Sequence, residues 1–246
     1  MSEPLIRVAC TPPHDLTGKK YTSSLPKGKT GKFLLDLMNR SREILEKHDI
    51  NKVRIDLGEN PANMIWLWGQ GKAPHFPSFE EKFGLKGSMI SAVDLLNGIG
   101  KLVGLEVIKV PGATGYYDTN FGGKAEYGMN ALNRLDLSFI HVEAADEAGH
   151  NGDLKQKIRA IENFDSQVVG TVLEKLEGKK DYRILICPDH PTPVELKTHT
   201  STPVLFLMSG TGIEPDEAAI FDEPTAALSK LFYPQGHNLM SDFLRR

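Results

Sequence analysis

The stretch HVEAADEAGHNGD, residues 141–153, directly follows the apolar segment LSFI at 137–140. Short apolar segments of this kind are typical of strands buried inside a parallel sheet. The stretch itself combines small residues with two histidines and four carboxylates, of which Asp146 and Glu147 are adjacent. Asp146 and His150 are four positions apart, so one helical turn would place both on the same face. Because ligands of open α/β sheets bind beyond the carboxyl ends of the strands, the stretch predicts a binding site at a strand end.

Segments that suit strands alternate with segments that suit helices along the chain. From residue 88 we predict a helix over MISAVDLLNGIGKLVG, strands in LEVIKV, DLSFIHVEA, YRILICPDH and TPVLFLMSG, and a long helix that starts after Asp153. This alternation indicates βαβ units, so the predicted fold class is α/β with a mostly parallel sheet. The first part of the chain is predicted to contain strands at 5–10, 52–57 and 64–68, and helices at 32–48 and in SFEEKFGLKG. The regular alternation of strand-like and helix-like segments starts only at about residue 88, so we predict a domain boundary near residue 86.

Composition limits the partners and the compartment. The chain has 246 residues, of which 40% are hydrophobic and 25% charged, and its formal net charge is −3. These values suit a protein with a sizeable core and give no case for nucleic acid or an anionic membrane as a partner. Cys10 and Cys187 show neither disulfide-scaffold nor zinc-finger spacing, and no apolar run resembles a signal peptide or a membrane span. We therefore expect a cytoplasmic protein.

Three clusters of acid or imidazole side chains lie next to predicted strands. Asp and His together offer the mixed oxygen and nitrogen donors that suit Mn²⁺ or Zn²⁺. Each cluster alone also has an ordinary interpretation, such as a turn residue beside a surface histidine or a helix N-cap at Asp146. Three clusters at the strand ends of one sheet favour a metal site. The candidate ligands are Asp146 and His150, Asp189 and His190, and His199.

These motifs resemble a known family. HVEAADEAGHNGD, CPDHPTP and KTHTSTPV are similar to stretches of the cofactor-independent phosphoglycerate mutases, and most closely to the archaeal-type group that includes proposed homoserine kinases. The family belongs to the alkaline phosphatase superfamily of two-metal phosphotransferases. The resemblance extends to GENPANMIWLWGQGKAP and VPGATGYYDTNFGGKA. It implies an alkaline-phosphatase-like core of sheet and helices at 87–246, and part of a smaller inserted, substrate-covering domain at 1–86.

The resemblance also implies the chemistry of the site. One metal ion would be held by Asp146, His150 and His199, and a second partly by Asp189 and His190. The two divalent ions would be Mn²⁺, Zn²⁺, Co²⁺ or Mg²⁺. In the family, the ions serve the interconversion of 3-phosphoglycerate and 2-phosphoglycerate through a phosphoserine. The implied partner is therefore a small phosphorylated metabolite.

The sequence departs from the family at the nucleophile. The family carries its nucleophilic serine and one further metal-ligand aspartate near the N-terminus, and we find no matching motif in this chain. We therefore expect the chain to correspond to the C-terminal part of a longer member, to contain no catalytic nucleophile and to be inactive alone. Self-association or pairing with the missing half is a further expectation. The alternatives are a metal-dependent phosphatase or phosphotransferase on another small phosphometabolite, and a non-catalytic remnant that binds metal or a partner.

Three further residues are candidates for substrate contact. Lys124 opens a predicted helix and could meet a phosphate, although a solvated lysine is the more frequent case. Arg54 and His14 are candidate anion contacts because the family uses Arg and His from its inserted domain on the substrate phosphate and carboxylate. Asn97 stands near a position where relatives often carry a lysine, which bears on the identity of the substrate.

Overall fold

The structure is a computed structural model that describes residues 5–16 and 18–245, apart from the side chains of residues 14 and 15. The chain divides into two compact units, Met1–Pro74 and His75–Arg246. The predicted boundary near residue 86 and the assignment of 1–86 to an inserted domain stay predictions. Among the described residues, no helix is both long enough and apolar enough to cross a membrane.

The first unit is built on two helices. α1 spans Gly28–Leu45 and buries Leu34 and Met38, which agrees with the helix predicted over 32–48. α2 spans Asp49–Asp56 and begins where the His48 side chain accepts a hydrogen bond from the Ile50 amide. Short 3₁₀ turns precede them at Leu5–Arg7, Pro13–Leu16 and Tyr21–Ser24.

The three strands predicted in the first unit are wrong. Residues 5–7 form a 3₁₀ turn, 64–68 have no regular structure, and most of 52–57 lies in α2. Alternating charged and apolar residues imitate a strand in 52–57, but local capping starts a helix instead. The Asn51 amide, which is 4% exposed, then fixes α2 by bonding the carbonyls of Leu45 and Ala62.

A parallel three-stranded sheet forms the centre of the second unit. β1 at Gly87–Ile90 lies between β2 at Glu106–Val107 and β3 at Leu137–Ile140. α4 at Asp94–Leu102 links β1 to β2, and α5 at Phe121–Ala131 links β2 to β3. These connections are the predicted βαβ units, so the predicted α/β class with a parallel sheet flanked by helices is confirmed.

The helix predicted over MISAVDLLNGIGKLVG is wrong in its first part. Ile90 pairs with Ile140, so the apolar start of the segment forms the central strand, and the helix begins only at Asp94. Helix and strand cannot be distinguished in a short apolar run by periodicity alone. The short helix predicted just before it is confirmed as α3 at Phe79–Phe83, with a capping box at Ser78 and a left-handed Gly84 after it.

The helices after β3 complete the core. α6 spans Ala144–Asn151, and α7 at Leu154–Asn163 starts at Asp153, whose carboxylate accepts from the Gln156 amide as an N-cap. A π-helical segment at Phe164–Val169 and α8 at Gly170–Leu176 continue the predicted long helix. The buried cluster between these helices and α5 consists of Phe121, Ala125, Ala144, Ala160 and Val168.

The last two strands pair with each other. β4 at Arg183–Ile186 and β5 at Leu207–Gly210 run antiparallel, with Ile186 opposite Leu207. Between them, the loop of residues 187–206 carries Asp189, His190 and His199. α9 at Glu223–Ala226 and α10 at His237–Leu244 follow.

Candidate metal centre

Helix α6 places Asp146 and His150 on one face, as their spacing predicts. The Asp146 Oδ2 and His150 Nε2 atoms are 3.3 Å apart. The helix starts where β3 leaves the sheet and ends at Gly152, which takes the left-handed conformation at φ 70° that favours glycine. Both side chains are therefore held on one short helix just beyond the carboxyl end of β3.

The loop between β4 and β5 brings two more imidazoles to the same carboxylate. His199 Nε2 lies 3.5 Å from Asp146 Oδ1 and 2.9 Å from His150 Nε2. His190 packs beside His199 with ring centroids 3.8 Å apart, and its Nδ1 is 4.0 Å from Asp146 Oδ1. One carboxylate and three imidazoles, separated by up to 53 positions in the sequence, thus converge on one spot.

A backbone carbonyl orients the His150 ring. Its Nδ1 atom lies 3.1 Å from the carbonyl oxygen of Lys197. A carbonyl only accepts hydrogen bonds, so the Nδ1 atom carries a proton, and any lone pair of the ring is on Nε2, which faces the cluster. Lys197 has a φ of 55°, in the left-handed region that non-glycine residues seldom adopt. Ligating histidines commonly donate their other ring N–H to a carbonyl in this way.

Asp189 lies at the edge of the cluster. Its Oδ2 atom is 3.4 Å from His190 Nε2, but its side chain is 74% exposed. Ligand atoms of Asp146, His190 and His199 all lie within 4.8 Å of one another, and Asp189 is outside that group. The structure therefore brings Asp146, His150, His190 and His199 together, with Asp189 adjacent through His190.

The donor set fits a divalent cation. Ligands bound at about 2.0–2.1 Å in a tetrahedral site are about 3.3 Å from each other, and the contacts among Asp146, His150 and His199 are of that size. Negative charge accumulates at the same place, since carboxylate oxygens of Glu143 and Glu147 lie within 4.8 Å of Asp146. Burial, with help from the Asp146 charge, raises the pKa of the Glu147 carboxyl.

Lys124 is fully buried, so its interpretation as a solvated lysine is wrong. Its Nζ atom donates to the carbonyls of His141 at 3.2 Å and Thr114 at 3.4 Å. Burial lowers the pKa of Lys124 to about 8, although the Glu143 charge opposes the shift. The Lys124 ammonium thus contacts the backbone of His141, the residue that directly follows β3.

The two candidates from the first unit differ in what the structure describes. The Arg54 guanidinium donates to the Asn60 carbonyl at 2.8 Å and lies 3.6 Å from Glu59, so local partners engage it. The side chain of His14 lies outside the described part of the chain. Substrate contact by either residue stays a prediction.

Sequence reasoning missed a hydrogen-bonded chain beside the sheet. Ser91 and His141 follow the paired residues Ile90 and Ile140, so they leave the sheet side by side. Ser91 Oγ lies 3.1 Å from His141 Nδ1, and His141 Nε2 lies 3.0 Å from Glu143 Oε2. The sequence pattern predicts a helix where β1 lies and so hides this pair. With β1 assigned, the register alone would place Ser91 beside His141.

The sequence model of the Metalloenzyme superfamily matches residues 24–231, and the chain belongs to this superfamily. Within this superfamily, the similar curated proteins are cofactor-independent phosphoglycerate mutases. The chain is 50% identical over 232 residues to the 2,3-bisphosphoglycerate-independent phosphoglycerate mutase of Methanothrix thermoacetophila, with 94% of this chain and 59% of the relative covered. It is also 50% identical to a probable mutase of the same kind from Geobacter sulfurreducens, with 96% and 59% covered. The resemblance to the cofactor-independent phosphoglycerate mutases is confirmed, and the chain spans somewhat more than half the length of these relatives.

Solved structures agree with the fold. A protein of Pyrococcus horikoshii superimposes with a TM-score of 0.68 at 32% identity, over 79% of this chain and 51% of that one. The cofactor-independent phosphoglycerate mutase of Thermoplasma acidophilum superimposes with a TM-score of 0.52 at 24% identity, over 87% and 51%. At that identity, the second likeness concerns the fold alone.

Proposed function

We propose that this chain supplies the metal-binding part of a divalent-metal-dependent phosphoglycerate mutase. The observation that carries the proposal is the convergence of the Asp146 carboxylate with the imidazoles of His150, His190 and His199. The similarity to curated mutases supports the reaction, in which 3-phosphoglycerate and 2-phosphoglycerate interconvert. Mn²⁺, Zn²⁺, Co²⁺ and Mg²⁺ are the candidate ions, because mixed carboxylate and imidazole donors accept several metals.

The chain's own residues would divide the work. Asp146, His150 and His199 would hold one ion, and His190 with Asp189 would contribute to a second. When bound, the ions would neutralise charge on the phosphoryl group during its transfer. Lys124 carries a buried ammonium with a lowered pKa near the end of β3, and we assign it to a charge-assisted hydrogen bond with a phosphate oxygen of the substrate.

We further propose that the chain as given binds metal without turning over phosphoglycerate alone. The family resemblance assigns the phosphoserine nucleophile to a motif that this sequence does not match. The family's full reaction would then need that motif from outside residues 1–246. A metal-dependent 3- to 2-phosphoglycerate conversion by the purified chain, above the rate without metal, would contradict this part of the proposal and leave the metal site intact.

Metal stoichiometry tests the proposal directly. The purified chain would be saturated with Mn²⁺, desalted and analysed for bound metal, with Asp146→Asn as the test variant. Asp153→Asn is the matched control, because it makes the same chemical change seven residues away and asparagine still caps a helix. We expect the wild type and Asp153→Asn to retain metal and Asp146→Asn to lose it. Equal retention by all three proteins would refute the site.

Product analysis separates the mutase from a phosphatase. The chain would be incubated with 3-phosphoglycerate and Mn²⁺ together with an N-terminal segment of a relative that carries the nucleophile motif. A mutase leaves total organic phosphate unchanged and forms 2-phosphoglycerate. Metal-dependent release of inorganic phosphate at a higher rate than 2-phosphoglycerate formation would favour the phosphatase instead.

A further inference from the structure

Thr192 lies between the two groups of candidate metal ligands, in the loop between β4 and β5. Its side chain is buried, with 3% of the residue exposed. The hydroxyl donates a short hydrogen bond to Asp146 Oδ1 and lies 3.3 Å from His190 Nδ1. One hydroxyl group thus contacts a ligand of each predicted ion.

The Thr192 hydroxyl has a single proton, so it can donate a hydrogen bond to only one of its two neighbours, Asp146 and His190. A carboxylate oxygen only accepts, so the Thr192 proton is used on Asp146. Towards His190 the hydroxyl oxygen can then only accept, so the His190 Nδ1 atom must carry a proton and donate it. In the neutral ring the lone pair is consequently on Nε2, the atom that faces Asp189 at 3.4 Å.

The backbone holds this hydroxyl in place from two sides. The Lys157 ammonium donates to the Thr192 carbonyl at 2.6 Å, from α7. On the other side, α6 approaches so closely at Gly149 that an added Cβ would overlap the Thr192 carbonyl oxygen and lie 2.9 Å from its Cγ2. These two contacts hold the Thr192 backbone between α6 and α7 and thereby limit where its hydroxyl can lie.

We propose that Thr192 is a positioning residue that couples the two metal sites. It turns one oxygen of Asp146 and sets the tautomer of His190, so that both present free lone pairs to the ions. This inference rests on the proposed metal site. Groups that orient ligands in this way commonly change metal affinity by about 10–100-fold when they are removed.

Metal titration of two variants tests the coupling. Thr192→Val keeps the shape and removes the hydroxyl, and Thr192→Ser restores it. Thr171→Val is the matched control, because that hydroxyl bonds the Gln167 carbonyl of its own helical segment. Using calorimetric titration with Mn²⁺, we expect Thr192→Val to weaken binding by about 10–100-fold and Thr192→Ser to return within about threefold of the wild type. Affinity in a folded Thr192→Val protein within about twofold of the wild type would overturn the proposal.

The imidazole tautomer provides a second readout, which needs no metal. Long-range ¹H–¹⁵N correlation spectra of the metal-free wild type at about pH 8.5, where ordinary imidazoles are neutral, report which ring nitrogen carries the proton. We expect His190 to be protonated on Nδ1 and Thr192→Ser to keep that pattern. A proton on Nε2 would overturn the role of Thr192 even if metal binds. Failure of the wild type to bind any metal, with the Nδ1 tautomer present, would instead refute the proposed function.

Discussion

The Nε2 atoms of His150 and His199 face each other at 2.9 Å, although the two residues are 49 positions apart in the chain. Both atoms also lie within 3.5 Å of the Asp146 carboxylate. The carbonyl of Lys197 keeps the proton of His150 on its other ring nitrogen, so the His150 Nε2 lone pair points at the space between the rings. Such an arrangement is prepared for a cation, which would replace the contact between the two rings by two metal bonds.

Removing one of these rings should abolish the stabilisation that metal gives. A ligand that binds only the folded state raises its stability by about 2.7 kcal/mol at 100 times its dissociation constant. We expect Mn²⁺ to raise the melting temperature of the wild type and to have little effect on His199→Ala. The measurement is a thermal scan with and without Mn²⁺. His237→Ala, at the start of α10, is the matched control and should respond like the wild type. An unchanged metal response in His199→Ala would argue against its role as a ligand.

A single methyl group should disturb the contact between α6 and the loop between β4 and β5. Gly149→Ala would overlap the Thr192 backbone, and forcing the elements apart typically costs about 1–3 kcal/mol. Gly98→Ala is the matched control, since Gly98 is also within a helix and has nothing within 4 Å of an added Cβ. There, alanine should stabilise by up to about 1 kcal/mol. Urea denaturation of both variants measures the two effects. A Gly149→Ala protein as stable as the wild type would show that the contact is not tight.

The strand ends and the acidic and imidazole side chains that follow them could be predicted from the sequence because both signals are local. The apolar runs LSFI and RILI are each followed within a few residues by a candidate ligand, Asp146 and Asp189 respectively. The spacing of four residues between Asp146 and His150 predicts that a helical turn places both on one face. Helix α6, which contains both residues, confirms that turn. The antiparallel pairing of β4 with β5 could not be foreseen, since it depends on how a 20-residue loop folds back.

Other features depend on tertiary contacts that no local pattern encodes. Thr192 looks like an ordinary residue between two prolines, and its role becomes visible only when α6 packs against the loop. Lys124 was expected at the surface because lysine usually is, and its burial comes from the packing of α5 over the end of β3. The strand predicted at 52–57 failed because capping at His48 outweighed an alternating pattern.

The buried ammonium of Lys124 should make stability depend on pH. Its pKa is about 8 in the folded protein, compared with an ordinary value of 10.5, so the unfolded chain binds more protons between these values. Stability therefore rises with pH across this window, by at most about 1.4 kcal/mol per pH unit, and the contribution is constant below about pH 8.

Comparison with Lys124→Met isolates this effect, because other titrating groups are shared. We expect the difference in free energy of unfolding, wild type minus variant, to move in favour of the wild type between about pH 8 and 10.5. Urea titrations with a chelator present, at several pH values from 7 to 11, give this difference. A constant difference across the window would mean that Lys124 keeps its ordinary pKa and is less buried than described.

The chain from Ser91 through His141 to Glu143 should behave as one unit. Glu143 accepts from His141 Nε2, so the other ring nitrogen accepts from the Ser91 hydroxyl, which also accepts from the Val93 amide. Ser91→Ala would leave His141 Nδ1 without its donor and should cost about 1–3 kcal/mol. Glu143→Gln keeps an acceptor oxygen but removes the charge that favours this proton arrangement. Because the two changes act on one imidazole, we expect their effects to be non-additive by about 0.5–3 kcal/mol in a double-mutant cycle measured by urea denaturation.

Ser138→Ala replaces Ser91→Ala in the control cycle, since its hydroxyl bonds Ser88 instead, and should be additive with Glu143→Gln. Additivity in both cycles would mean that the two hydrogen bonds of His141 act independently and that the chain does not link the end of β1 to the start of α6.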